Sequence, residues 1–72
     1  MVRAKFKCIS EKTTAYNRSY EFLPVTSGSP ENAEFFKTTP AGKIELTVNN
    51  DAVYFQIGKD YYIDFTPEIV EV

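Results

Sequence analysis

The stretch "VRAKFKCISE", Val2–Glu11, decides how the rest of the chain is read. Val2, Ala4, Phe6 and Cys8 fall on one side of an extended backbone, and Arg3, Lys5 and Lys7 fall on the other. A period of two predicts a half-buried strand with a cationic outer face. Downstream, Asn17 beside Arg18 marks a turn, and Ser19–Val25 reads as a second strand ending near Pro24, so the first two strands form a hairpin. Ser29 as N-cap, Pro30 at the first helical position and Glu31 and Glu34 in the first turn predict one or two turns of helix. Phe35–Thr38 is expected to return to extended structure, and "TTPAGK" reads as a turn with Pro40 setting φ.

Lys43–Val48 alternates again, with Ile44, Leu46 and Val48 inward. Asn50, Asp51 and Gly58 bracket a segment expected to make a second short helix over Ala52–Gln56. Tyr61, Ile63 and Phe65 then share one face of a last strand, and Tyr62, Asp64 and Thr66 share the other. The C-terminal "EIVEV" suits an edge strand or pairing with a second copy. The expected fold class is mainly β: one domain over residues 1–72, a small β-barrel or curved antiparallel sheet with one or two short helices.

At 72 residues only about 60% of the unfolded chain's surface can be buried, so the core is small. Cys8 is the only cysteine and histidine is absent, which removes a disulfide and a structural zinc site as supports and leaves self-association. Cys8 itself reads as a small buried hydrophobe. No apolar run approaches the ~20 residues of a membrane span, so the expectation is a soluble intracellular protein with no membrane partner.

The net charge of −2 hides an asymmetry. Up to Arg18 the chain holds five cations against Glu11 alone, a net +4, which leaves −6 beyond it. That balance disfavours long nucleic acid as a partner while permitting a local anion site.

Without histidine, a glycine-rich phosphate loop or paired carboxylates, no catalytic constellation can be written, and a non-enzyme without cofactor is expected. Binding is the better-supported class. Six Phe and five Tyr exceed what one small core hides. Phe6, Phe22, Phe55, Phe65 and Tyr61 are the expected core, whereas at least one of Phe35 and Phe36 should be exposed or buried against a partner, and Tyr62 should be exposed.

Arg3, Lys5 and Lys7 recur at roughly 6.6 Å, close to a phosphate spacing, and fit either a solvated face or an anion site. Lys37, Thr38, Thr39 and Lys43 surround the central turn with donors, while Ser29 and Asn32 fit either capping or ligand contacts. Taken together, Arg3, Lys5, Lys7, Asn32, Phe36, Lys37, Thr38, Thr39, Lys43 and Tyr62 are the candidate ligand-binding residues. Phe36 is the expected stacking ring, Lys37 the phosphate contact and Thr39 the hydroxyl donor.

Three motifs carry a resemblance. A basic opening strand spans Ala4–Lys7, an S-x-E-N segment leads into F-x-K-x-[TS]-P-x-G over Ser29–Gly42, and G-[KQ]-x-[YF]-Y-[VI]-D-F closes the chain at Gly58–Phe65. With these, the sequence resembles a widespread family of small tailed-phage proteins similar to anti-CBASS cyclic-nucleotide sponges. The resemblance implies a homo-oligomer, dimer or tetramer, in the host cytoplasm. It also implies that this oligomer sequesters a cyclic dinucleotide without cleaving it. The Tyr16–Tyr20 region and the "EIVEV" tail depart from the family pattern. Two other classes use the same residues: a small single-strand-binding barrel, which the acidic remainder of the chain disfavours, and a structural or host-protein-binding phage factor presenting Phe35 and Phe36.

Overall fold

The computed structural model describes residues 2–69. Four strands, β1 (Val2–Thr13), β2 (Arg18–Pro24), β3 (Ile44–Val48) and β4 (Asp60–Phe65), form one antiparallel sheet in the order β3-β2-β1-β4, curled into a half-barrel. One helix, α1 (Pro30–Phe36), connects β2 to β3. Of the two architectures expected, the chain adopts the open curved sheet.

Alternation in β1 works as its sequence requires. Ala4, Phe6 and Cys8 are buried, and Arg3 and Lys7 are exposed. Between Cys8 and Ser10 the register with β2 shifts by a bulge, so that Cys8 opposes Phe22 but Glu11 opposes Tyr20. The extra residue, Ile9, interrupts the alternation there, and beyond it Glu11, Lys12 and Thr13 are all exposed. Thr14 closes the hairpin: its Oγ1 accepts from the Asn17 N–H at 3.0 Å, and its own N–H donates to the Asn17 carbonyl at 2.8 Å.

Ala4, Phe6, Cys8, Tyr20 and Phe22 are the buried apolar residues, with Phe36, Ile44, Val48, Phe55, Tyr61 and Ile63 packed around them. Phe65 lies on the expected face but at its uncovered end, 48% exposed, which corrects its assignment to the core. Tyr20 takes its place as a fully buried ring.

No second helix forms over Ala52–Gln56. The carbonyls of Asn50 and Val53 accept from the Arg18 guanidinium at 3.0 and 2.8 Å, and the Gln56 N–H donates to the Tyr61 hydroxyl at 2.8 Å. These side chains take backbone groups that a helix would have paired, and the segment instead lays Phe55 across the core. Gly58, with φ of 87°, turns the chain into β4 and donates its N–H to the Cys8 carbonyl at 2.8 Å. Residues 70–72 of the "EIVEV" stretch lie outside the described residues, and Glu68 and Ile69 belong to no strand.

Candidate functional site: a cation and tyrosine platform

Antiparallel pairing of β1 with β4 sets Lys7 opposite Asp60, Lys5 opposite Tyr62 and Arg3 opposite Asp64. All six side chains project from the outer face, because their neighbours Phe6 and Ala4 oppose Tyr61 and Ile63 on the core side. The Arg3 guanidinium grips Asp64 through both oxygens, Nε to Oδ1 at 2.6 Å and Nη2 to Oδ2 at 3.1 Å. It also sits 4.8 Å from the centre of the Tyr62 ring, with Lys5 Nζ at 5.3 Å from the same centre. Four of the ten expected residues, Arg3, Lys5, Lys7 and Tyr62, are thereby brought together. Beside them lies a shallow hollow of about 180 Å³ lined by Lys5, Asp60, Tyr61 and Tyr62.

Sequence reasoning missed the counter-charges. Besides the Arg3–Asp64 pair, Lys7 pairs with Asp60 at 3.3 Å and Lys5 with Glu31 of α1 at 3.6 Å. Hydrogen bonding to Arg3 holds the Asp64 carboxyl below its usual range, and the same bond raises the Arg3 guanidinium. The readable signal was the opposite sign of Asp60 and Asp64 to Arg3 and Lys7 at matching strand spacing. Its use requires knowing that β1 and β4 pair.

The remaining candidates are scattered. Asn32 is a structural clamp, which corrects its assignment to a ligand. It is 1% exposed; its Oδ1 accepts from the Lys5 N–H at 2.6 Å, and its Nδ2 donates to the carbonyls of Lys5 and Val25 at 2.7 and 2.8 Å. The side chain thus continues the ladder where β2 has ended, and both amide protons are used. Phe36 is also corrected as the stacking ring. The chain stays helical through Phe36 and reverses only at Lys37, whose φ is 61° and whose N–H bonds the Ala33 carbonyl, so Phe36 packs on the core and Phe35 is the ring left exposed.

Lys37 reaches Glu34 at 3.0 Å. Lys43 lies beside the far strand β3, paired with Glu45 at 2.6 Å and Glu21 at 3.7 Å; the hydrogen bond to Glu45 raises its ammonium. Thr38 and Thr39 meet in a separate hollow of about 340 Å³, whose lining also includes Thr26, Ser27, Ser29 and Pro40.

No family model, curated protein or solved structure matches this chain. The three motifs quoted from the sequence have definite places in the fold. The basic strand and the closing G-K-D-Y-Y-I-D-F are neighbours and build the platform. S-x-E-N supplies the Ser29 cap, the Glu31 partner of Lys5 and the Asn32 clamp. Among the described residues no group of three or more Cys, Asp or Glu is placed to hold a metal ion, and no helix is long and apolar enough to cross a membrane.

Proposed function

We propose that the protein is a phage immune-evasion factor of the host cytoplasm that binds and sequesters cyclic dinucleotide signals without cleaving them. The observation that carries this reading is the half-exposed Tyr62 ring with both Arg3 and Lys5 within about 5 Å of its centre on an open sheet face. A phosphate competes for the two cations with the carboxylates of Asp64 and Glu31. A nucleobase stacks on the exposed part of the ring or on the guanidinium plane. Because the resting cations are already paired, binding exchanges one set of charge-assisted bonds for another, and selectivity then rests on the bases as much as on charge. One platform serves one phosphate and one base, so a ligand with two of each calls for two copies of the chain.

An extended single strand is the poorer ligand. Asp60 and Asp64 lie along the same face as the cations and repel a continuous phosphate backbone.

Titration calorimetry against a panel of cyclic di- and trinucleotides, with chromatography of the recovered ligand, tests the proposal. The expected result is saturable binding, intact ligand after release, and a loss of at least about fivefold in affinity for Tyr62→Ala, since stacking contributes about 1–3 kcal/mol per base. Conversion to linear products, or no heat from any member of the panel, overturns it. Tight oligonucleotide binding with a steep negative salt slope would shift the assignment to a single-strand binder.

A further inference from the structure

Along the outer face of β4 an acid, a ring and a second acid follow at every other residue: Asp60, Tyr62 and Asp64. The two acids are not equivalent. Asp64 spends both oxygens on the Arg3 guanidinium, whereas Asp60 has a single longer contact, Lys7 Nζ to Oδ1 at 3.3 Å, and its side chain is 41% exposed. Asp60 also walls the hollow of about 180 Å³ beside Tyr62, and Asp64 does not. Lys5 lines the same hollow, with its ammonium 5.3 Å from the centre of the Tyr62 ring. Its contact with Glu31 is long, at 3.6 Å, and an ammonium has three protons to give, so Lys5 keeps donors for a ligand.

We propose that this hollow reads the base stacked on Tyr62 and selects guanine, with Asp60 as the specificity-determining residue. The inference rests on the sequestration reading and names the base of its ligand. The hollow is smaller than the ~300–1,000 Å³ that encloses a whole small molecule, so it takes the edge of one base while the ring holds its face. Alternate residues of a strand stand roughly 6.6 Å apart, and a purine centred on Tyr62 turns its edge toward Asp60.

The Watson–Crick edge of guanine carries, side by side, the O6 acceptor and the N1–H and N2–H donors. A carboxylate accepts from both donors at once, and a neighbouring ammonium donates to O6. Adenine turns an amine donor and the N1 lone pair to the same wall, which leaves one carboxylate oxygen facing a lone pair. Cytosine does likewise through N3, and uracil offers a single N–H between two carbonyls. Only guanine among the four presents two adjacent donors to Asp60. The carboxylate repels the phosphates of every ligand, and those two donors offset the repulsion for guanine alone. Stacking on Tyr62 is sequence-tolerant, so the edge decides between the purines.

Titration calorimetry with cyclic di-GMP, cyclic di-AMP and cyclic di-IMP, whose inosine lacks only the N2 amine of guanine, tests the inference. The wild type is expected to bind cyclic di-GMP at least about fivefold more tightly than cyclic di-AMP, the low end for a bidentate contact because this one is half open to water, with cyclic di-IMP between them. Asp60→Asn should bring that ratio close to one. Glu45→Gln, which removes an exposed carboxylate on β3, should keep it. Equal affinities for cyclic di-GMP and cyclic di-AMP, or an unchanged ratio in a folded Asp60→Asn, overturn guanine selection and leave sequestration standing. Cyclic di-IMP binding as tightly as cyclic di-GMP overturns it on the wild-type protein, without recourse to a variant. No heat from any of the three also removes the guanine assignment; the sequestration reading falls with it only when the wider panel of cyclic nucleotides is silent too.

Discussion

Two aromatic clusters share the core side of this sheet and end differently. Tyr20, Phe22, Phe55 and Tyr61 meet edge to face, with ring centres 5.0–5.9 Å apart and planes 83–90° from one another. Phe35, Phe36 and Phe65 are as close, at 4.9 and 5.8 Å, yet two of the three rings stay open to solvent. Ring content does not separate them. The first cluster has a lid of main chain, the β3-to-β4 connection, fastened by Arg18 and carrying Phe55 across the sheet, whereas the second has only the flank of a seven-residue helix. In a chain this short, burial is decided by where a connection must cross the sheet, and apolar residues beyond that crossing remain available for another molecule.

The largest expected effect tests this contrast directly. Phe22→Ala removes a ring at the centre of the covered cluster and should cost about 3–5 kcal/mol, enough to unfold much of the population of so small a domain. Phe35→Ala, measured under conditions where the chain is monomeric, should cost about 1 kcal/mol or less. Urea titration of both variants reads the difference; equal losses would break the comparison.

Next in size is Asn32→Ala. It orphans the Lys5 N–H and the Val25 carbonyl and takes one of two donors from the Lys5 carbonyl at the junction of α1 with β1, for an expected loss of about 2–3 kcal/mol. Hydrogen exchange should then show α1 and the Phe35–Phe65 end opening before the Phe55 cluster does. Simultaneous opening would mean that the two halves form one cooperative unit.

The smallest effect concerns the outer face. Asp64 has a folded-state pKa below its unfolded value. Its contribution is therefore present above about pH 3.9 and is lost as pH falls through the lowered folded value. The Asp64→Asn variant should show a flatter decline in stability below pH 4 than the wild type. Parallel acid denaturation curves would show that the Arg3 pair leaves stability untouched, as for many exposed ion pairs.

Much of the fold was legible in the sequence because it rests on local chemistry. Alternation located the cores of β1, β3 and β4, the Asn17–Arg18 turn and Pro24 bracketed β2, and Ser29 with Pro30 located the start of α1. The failures have a common cause. Asn50, Asp51 and Gly58 signal a capped turn equally well in a helix and in an irregular crossing. Only the packing of Phe55 on Phe22 and the reach of Arg18 from β2 select the crossing. Phe35 and Phe36 read as extended in the sequence because nothing local announces that the helix runs on to Lys37, which adopts a left-handed conformation. In the candidate site the cations and Tyr62 were readable one by one, but their neutralisation by Asp60, Asp64 and Glu31 follows from the register of β1 against β4, a pairing that spans 61 residues between Arg3 and Asp64.

That span bears on how the protein is made. During synthesis the β1–β2 hairpin can close early, while the other edge of β1 waits for β4 to leave the ribosome. For that interval β1 is a bare strand edge, the kind of surface on which nascent chains stick to one another. Arg3, Lys5 and Lys7 line that edge, and until Asp60 and Asp64 arrive their charges are not yet matched from β4. In the newborn chain the same lysines and arginine act as gatekeepers against aggregation, a duty that ends when the last strand docks.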